Sequence, residues 1–326
     1  MTLTNLEQLV SELMPHYTSA FNKLIHSDQS LVDSIIRTIG NSRGKQLRPL
    51  LTIATACCCG LPSTVDANHP VFSVAAAVET LHNSTLLHDD VVDNSDLRRG
   101  KPTANSIYGN KMAVLMGDFC LSQVMRILNA IDIKPVTEVI NNAVTEMAEG
   151  EILQLSNSGR YSNDIETYLK IIRKKTAVFM SACCKAGAIL ASSSEATVNA
   201  AGLFGESLGM AFQIRDDMID FLPQSVTGKP QGNDIREHKC TLPLIFALEE
   251  TDPNTKNDIL AFLEKTTINE DDVTAIIDHV GSTSAMDRSR EQMRQYVNNA
   301  IVFADKLPDN KYRDSLKELT IQLTDF

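Results

Sequence analysis

The chain has 326 residues, of which 43 % are hydrophobic and 22 % are charged, a composition typical of globular proteins and unlike that of disordered ones. Its 30 Lys and Arg against 41 Asp and Glu leave a formal charge of −11. That charge argues against a general nucleic-acid-binding protein, because such proteins need a basic face.

Apolar residues recur at helical spacing along the chain, and only 15 Gly and 11 Pro interrupt it. This pattern predicts an all-α fold with a single domain over residues 1–326. Long helices are expected near residues 6–17, from residue 45, and at 71–93, 111–130, 136–157, 164–191 and 195–221. Shorter helices are expected at 242–249, 254–265, 270–280, 284–306 and 313–323. Residues 96–105 and 223–239 are predicted loops, because Gly and Pro punctuate them.

Several sequence features bear on the compartment of the protein. No uninterrupted run of about twenty apolar residues is found, so no transmembrane segment is expected. The first residues contain Glu and no basic cluster, which disfavours a secretory signal or a transit peptide. The seven cysteines lack the CxxC spacing of zinc sites, and they are predicted to be reduced, buried thiols. These features predict a cytoplasmic protein.

Three aspartates, Asp89, Asp90 and Asp93, lie at the end of the predicted helix 71–93. Like charges at this helical spacing repel one another, and burying bare carboxylates among apolar neighbours costs several kcal/mol each. A hard divalent cation removes both costs, whereas a solvated acidic surface is the plain alternative. A second cluster repeats the spacing on another long helix and comprises Asp216, Asp217 and Asp220. Six carboxylates without His or Cys at ligand spacing favour Mg²⁺ over zinc.

Basic residues follow both aspartate clusters in sequence, namely Arg98 and Arg99 after the first and Lys229 and Lys239 after the second. Others are Lys45 and Arg48 at a predicted helix start and Lys175 within a predicted helix. Carboxylate-bound Mg²⁺ commonly serves phosphate-bearing substrates, and Arg and Lys are the side chains that bind phosphate oxygens. The chain has neither a Walker loop nor a GxGxxG motif, so nucleotide chemistry is not indicated.

Four segments carry a family resemblance: GKQLRP at 44–49, ETLHNSTLLHDDVVDNSDLRRGKPTAN at 79–105, KKT at 174–176 and QIRDDMIDFLPQSVTGKPQGNDIREHKCTLPL at 213–244. Together they resemble the trans-polyprenyl diphosphate synthases, and most closely the long-chain, octaprenyl-type members. Two positions depart from the family pattern. Gln46 stands where a basic residue is frequent, and His238 stands where Gly is common.

The resemblance implies a barrel of long antiparallel helices around a deep central cavity, with three Mg²⁺ ions holding an allylic diphosphate. It implies that Asp89, Asp90 and Asp93 bind two ions, and that Asp216 with Asp217 or Asp220 binds the third. The residues implied to hold the allylic diphosphate are Arg98, Lys175, Lys229 and Lys239, with Thr176 and Gln213 near the reacting carbon. Those implied to bind isopentenyl diphosphate are Lys45, Arg48, His82 and Arg99. The implied catalytic set is Asp89, Asp93, Lys175, Thr176, Gln213 and Asp216.

Ser84 and Thr85 precede Asp89 by about one helical turn, where short-chain members of the family carry an aromatic residue. Two small side chains leave this path open, which predicts a hexaprenyl to decaprenyl product, most simply octaprenyl, built from farnesyl or geranylgeranyl diphosphate. Both side chains could also simply hydrogen-bond to helix carbonyls.

Four alternative functions are considered: a geranylgeranyl diphosphate synthase, a regulatory subunit of a heteromeric prenyl synthase, a terpene cyclase and a non-catalytic helical scaffold. A cyclase is expected to lose the basic residues that bind isopentenyl diphosphate, and a regulatory subunit is expected to lose aspartates. This chain keeps both sets. A homodimer is expected from the resemblance and from the frequency of two-fold pairs. The apolar product predicts transient membrane contact, although the acidic chain has no electrostatic attraction to an anionic bilayer.

Overall fold

The computed structural model describes residues 4–40, 46–98, 100–157, 164–223, 231–265 and 267–325. The chain divides into two compact units. The first comprises Met1–Asn141, Ala182–Gly202 and Ala304–Leu319, and the second comprises Asn142–Ser181, Leu203–Phe303 and Thr320–Phe326. The single domain inferred from the sequence stays a prediction.

Nearly all regular structure in the described residues is helical, which confirms the all-α prediction. The helices up to the first aspartate cluster are α1 (Thr4–Leu9), α2 (Met14–Ile25), α3 (Ser30–Gly40), α4 (Leu47–Cys58) and α5 (Pro70–Val92). Those that follow are α6 (Ala104–Tyr108), α7 (Asn110–Ile131), α8 (Lys134–Asn157), α9 (Ile165–Ile172), α10 (Val178–Leu190) and α11 (Glu195–Ile219). The last are α12 (Asn233–Arg236), α13 (Leu242–Glu250), α14 (Pro253–Leu263), α15 (Glu270–Ser282), α16 (Ala285–Ala304) and α17 (Lys311–Thr324).

Helix α5 is the central element of the first unit and packs against α2, α4 and, most extensively, α7. It begins where Pro70 occupies the first turn and the His69 side chain accepts a hydrogen bond from the Val71 amide, both favourable at a helix N-terminus. Gly117 on α7 permits the close approach, because a Cβ there would overlap the ring of His88. The C-terminal end of α5 is thereby fixed against α7.

The core of the second unit surrounds α13, whose residues from Leu242 to Leu248 are all buried. The second half of α11 packs into the same core through Met210, Ile214 and Met218. A helix that is apolar on every side is expected in such a central position. The end of α11, which carries the second aspartate cluster, is therefore anchored by apolar packing.

Four predicted elements differ from the structure. The helix expected near residues 6–17 is divided between α1 and α2, and the loop predicted at 223–239 contains α12. The helix expected at 164–191 is found over residues 165–190, but a π-helical turn at Arg173–Ala177 lies within it, between α9 and α10. The predicted loop at 96–105 contains a short antiparallel ribbon of β1 (Leu97–Arg98) and β2 (Lys101–Pro102), followed by the start of α6. Both irregular segments carry residues of the predicted site, and π-turns of this kind are frequent at functional sites.

Among the residues that the structure describes, one helix, α7, is long and apolar enough to cross a membrane, with a mean hydropathy of 1.3 over its most apolar window and 33 % of that window buried. Length and composition alone are weak evidence for a span, since core helices of soluble proteins meet the same test. This helix packs along α5. It also leaves large apolar side chains such as Leu115 and Met125 exposed.

Candidate active site

The first aspartate cluster lies in the last turn of α5 and directly after it. Asp89 and Asp93 are half-buried, while Asp90 is only 5 % exposed. No basic residue occupies the last turn of this helix, where the helix dipole is negative and favours cations. Carboxylates at this position are electrostatically unfavourable by themselves, and a bound cation would compensate for them.

The middle aspartate of this cluster is bound by the protein itself. Arg98 of β1 approaches Oδ1 of Asp90 with Nε at 2.8 Å and Nη2 at 2.7 Å. The loop between them is tied back by Asn105, whose Nδ2 donates to the carbonyls of Asp90 and Ser95. Asp90 therefore positions Arg98 at the end of α5.

The second cluster repeats this arrangement in the other unit, at the C-terminal end of α11. Asp216 is half-buried and Asp217 is 5 % exposed, and the last turn of α11 again contains no basic residue. The negative end of a second helix therefore coincides with a second group of carboxylates.

Asp217 is held by two protein donors. The Tyr168 hydroxyl donates to Oδ2 at 2.6 Å, and Gln213 Nε2 donates to Oδ1 at 2.8 Å. Burial raises the pKa of Asp217 to about 7, although both hydrogen bonds act in the opposite direction. Both of its oxygens are engaged, so this carboxylate is poorly placed to coordinate an ion directly.

Asp220 accepts hydrogen bonds from the backbone amides of Asn233 and Asp234, each at 3.0 Å. These amides begin α12, so Asp220 fixes the chain that returns after the second cluster. Burial raises the pKa of Asp220, and the two amide hydrogen bonds oppose this shift.

The π-turn presents Lys175 and Thr176. Lys175 Nζ lies 2.5 Å from Glu151 Oε2 and 3.1 Å from Gln154 Oε1, both on α8. Thr176 Oγ1 donates to Gln213 Oε1 at 2.7 Å. The turn thus connects α8 to the part of α11 that carries the second cluster.

Two glycines hold the π-turn from either side. A Cβ at Gly150 on α8 would lie 2.7 Å from Lys174 Cβ, and one at Gly209 on α11 would lie 2.5 Å from Ala177 Cα. Real Cβ atoms do not approach other carbon atoms this closely, so only glycine permits these contacts. The positions of Lys175 and Thr176 therefore depend on both residues.

The remaining residues that were predicted to bind diphosphate groups differ in their burial and contacts. Arg48 and His82 are half-buried in the first unit, and Lys239 forms an ion pair with Glu237 in the second. His238 has a φ of +56°, a backbone conformation that glycine adopts more readily than other residues. Three further predicted residues, Lys45, Arg99 and Lys229, lie outside the described residues.

The two predicted chain-length residues differ in their contacts. Ser84 is 3 % exposed and its hydroxyl donates to the carbonyl of Gly117 on α7 at 2.8 Å. Thr85 is half-buried and donates to the carbonyl of His82 within α5. Ser84 therefore faces α7, and its role in product length stays a prediction.

Within the described parts of the chain, no group of three or more His, Cys, Asp or Glu side chains converges closely enough to hold an ion. Mg²⁺ is a hard cation that often takes only one or two carboxylates from a protein and completes its shell with water and phosphate oxygens. Oxygen-only ligands at two negative helix ends suit such a hard cation.

Sequence reasoning missed Tyr168, Glu151 and Gln154. Tyr168 lies far from Asp217 along the chain, and no local pattern marks it. Gly150 and Gly209 did leave a signal, because an isolated glycine inside a helical pattern indicates close packing.

The family model described as polyprenyl synthetase matches residues 29–280. The octaprenyl diphosphate synthase of Escherichia coli (strain K12) is 31 % identical over 97 % of this chain and 96 % of that protein. Heptaprenyl diphosphate synthase component 2 of Geobacillus stearothermophilus is 33 % identical over 86 % and 85 %, respectively. A polyprenyl synthase from Caulobacter crescentus CB15, solved with calcium and isoprenyl diphosphate, superposes with a TM-score of 0.91 at 31 % identity, covering 100 % of this chain and 98 % of that one.

Proposed function

Because the chain belongs to the polyprenyl synthetase family and is a prenyltransferase, we propose that it condenses isopentenyl diphosphate repeatedly with an allylic diphosphate to make a long-chain trans-polyprenyl diphosphate. One observation carries this proposal. Each of two aspartate clusters lies at the negative end of a long helix. Arg98 pairs with Asp90 of the first cluster, and Lys175 lies in the π-turn beside Thr176, which is hydrogen-bonded to Gln213, the residue that donates to Asp217 of the second.

The metal ligands in this proposal are Asp89, Asp93 and Asp216, which together serve three Mg²⁺ ions per active site. Asp90, Asp217 and Asp220 complete the two clusters, and protein donors orient their carboxylates. Mg²⁺ bound by the ligand aspartates would stabilise the negative charge that grows on the leaving diphosphate.

The basic residues bind the diphosphate groups of the two substrates. Arg98, Lys175, Lys229 and Lys239 bind the allylic diphosphate, while Lys45, Arg48, His82 and Arg99 bind isopentenyl diphosphate. A unit-charge pair at 4 Å is worth about 4 kcal/mol at a surface-like dielectric, so several converging cations lower the barrier to breaking the allylic C–O bond. The isopentenyl double bond then attacks the allylic carbon. The released diphosphate takes the proton, and no protein base is assigned.

We assign a hexaprenyl to decaprenyl product, with octaprenyl as the expected length, from farnesyl or geranylgeranyl diphosphate. The small side chains of Ser84 and Thr85 support this, as does the similarity to an octaprenyl enzyme and a heptaprenyl enzyme. A geranylgeranyl product is the alternative, in which case another residue closes the cavity.

The partner that we propose is a second copy of this chain, packed on α7. Val114 is 39 % and Met125 is 61 % exposed, and they lie about three turns apart on one face of that helix. A two-fold axis through the middle of α7 would bring Val114 of each copy to Met125 of the other, as a self-complementary interface requires.

Sedimentation equilibrium tests the dimer. The wild-type protein should be dimeric, Met125→Glu should shift it towards monomer, and Leu203→Glu, at an exposed apolar residue of α11, should leave the dimer intact. A monomeric wild type would refute this part of the proposal.

We propose a cytoplasmic location, with transient membrane contact limited to release of the apolar product.

The reaction is tested with purified protein, isopentenyl diphosphate and farnesyl diphosphate, with Mg²⁺ or EDTA, and the products are sized by mass spectrometry. A ladder ending near octaprenyl is expected with Mg²⁺ and no product with EDTA. Asp89→Asn and Asp216→Asn should abolish the ladder, whereas Asp258→Asn, on the exposed face of α14, should not. Absence of product with every allylic starter would overturn the proposal and favour a subunit that needs a second chain.

A further inference from the structure

A chain of hydrogen bonds runs through the second unit from a buried tyrosine to the π-turn. Tyr168 on α9 donates to Asp217, Gln213 donates to the other oxygen of Asp217, and Thr176 donates to Gln213, at 2.6, 2.8 and 2.7 Å. The chain is protected from water at its first two members, since Tyr168 and Asp217 are each 5 % exposed.

The direction of these hydrogen bonds fixes the orientation of one amide. Gln213 turns its Nε2 towards Asp217 and donates to Oδ1 at 2.8 Å. Its Oε1 then points to the π-turn and accepts the hydroxyl hydrogen of Thr176. With its hydrogen committed in this way, the Thr176 oxygen can offer only lone pairs to any other group.

Tyr168 determines which carboxylate oxygen is available to Gln213. Its hydroxyl occupies Oδ2, which leaves Oδ1 for the amide. Without this donor the buried carboxylate would have an unsatisfied oxygen, and the amide could move between the two positions. A buried polar group without its partner is costly, so the network would rearrange.

We propose that Tyr168 is a positioning residue for catalysis: through Asp217 and Gln213 it fixes the oxygen of Thr176 with its lone pairs towards the allylic carbon, where positive charge develops. This inference rests on the proposed prenyl transfer. It assigns Asp217 to the same network rather than to the metal, and it gives a catalytic function to a tyrosine on a different helix from either aspartate cluster.

The test is Tyr168→Phe, which removes the hydroxyl and keeps the buried ring. Hydrogen bonds to charged groups contribute enough for a tenfold to hundredfold effect, so kcat should fall by roughly that factor. Since the lost interaction acts on the transition state, the KM for both diphosphates should stay within about twofold. The Mg²⁺ concentration for half-maximal rate should also stay within about twofold. Tyr312→Phe, at a buried tyrosine of α17 in the first unit, is the matched control and should leave kcat unchanged.

A double-mutant cycle separates positioning from general packing. Thr176→Val should lower kcat, and adding Tyr168→Phe to it should cost little more, because both changes break one network. Asp217→Asn provides a second variant and should resemble Tyr168→Phe in its kcat and its Mg²⁺ dependence.

Three results would overturn the inference. One is an unchanged kcat in a folded Tyr168→Phe enzyme, and another is a purely additive cycle with Thr176→Val. The third is a Tyr168→Phe enzyme that recovers its rate at high Mg²⁺, because that would assign the tyrosine to the metal site. A wild-type protein that makes no prenyl product would instead refute the proposed function, and this inference with it.

Discussion

Replacing Gly209 by alanine tests whether the π-turn depends on close helix packing. In an exposed helix this change stabilises the fold by up to about 1 kcal/mol, because alanine is the better helix former. At Gly209 the added Cβ would lie 2.5 Å from the Cα of Ala177. The contacted atom belongs to the backbone and cannot rotate away, so the turn itself has to move.

Overpacking of this kind costs about 1–3 kcal/mol, and a backbone contact belongs at the upper end of that range. After subtraction of the helix preference, Gly209→Ala should destabilise the protein by about 2 kcal/mol. The entropy of unfolding is about 2.1 cal/mol/K per residue, so a chain of 326 residues loses about 1.5 °C of melting temperature per kcal/mol. The expected decrease is therefore about 3 °C.

Thermal unfolding followed by circular dichroism measures this, since the fold is helical and the chain contains no Trp for fluorescence. Gly281 on α15 provides the matched control, because a Cβ there would meet nothing within 4 Å. Gly281→Ala should raise the melting temperature by about 1 °C. The two identical substitutions should thus shift stability in opposite directions.

Activity gives an independent readout of the same change. Movement of the turn displaces Lys175 and Thr176, so Gly209→Ala should lower kcat at least tenfold, because small misplacements of a reacting group are costly. Gly281→Ala should leave kcat unchanged. If Gly209→Ala were as stable and as active as Gly281→Ala, the close packing of the π-turn on α11 would be refuted.

Three further predictions follow from individual contacts. Ser84→Phe should shorten the prenyl product while the reaction stays dependent on Mg²⁺, whereas Ser84→Ala should keep the product length. An unchanged product length in the Ser84→Phe variant would show that Ser84 does not line the path of the growing chain. Glu151→Gln should strengthen the binding of inorganic pyrophosphate up to about fivefold, because Lys175 loses a competing carboxylate. Calorimetry measures this affinity, and weaker binding would instead mean that Glu151 orients the lysine. Burial raises the pKa of Cys120 to about 12, so this thiol should resist alkylation at pH 8 until the protein unfolds, and rapid labelling of the native protein would contradict its burial. The same pKa shift predicts that the free energy of unfolding is constant below about pH 9 and decreases as the pH rises towards 12. The reason is that the thiol loses its proton at a lower pH in the unfolded chain than in the folded protein.

Local sequence patterns were sufficient to locate most helices and both aspartate clusters. The predicted helix 71–93 corresponds to Pro70–Val92, and the predicted helix 195–221 corresponds to Glu195–Ile219. Both predictions rest on apolar periodicity over more than twenty residues, the strongest signal that a single sequence offers. The aspartates at the two helix ends could therefore be placed before the structure was known.

The π-turn could not be predicted in the same way. It lies within a continuous helical pattern, and Arg173–Ala177 contains no glycine or proline to mark an interruption. Its cause is tertiary, because Gly150 and Gly209 leave space on two neighbouring helices. The hydrogen bond between Tyr168 and Asp217 could not be predicted for a similar reason. The two residues lie on different helices, and only the packing of the second unit brings them together.

The different roles that we assign to the aspartates follow from their positions in the sequence and from helical geometry. Adjacent residues on a helix point about 100° apart, whereas residues three or four positions apart share a face. Asp90 shares its face with Leu87, and Asp217 shares its face with Ile214, and both of these apolar residues are buried. The second aspartate of each cluster must therefore point into the protein, where it requires donors of its own. The first aspartate of each pair is turned away from that buried face, and it is the one that we assign to the metal.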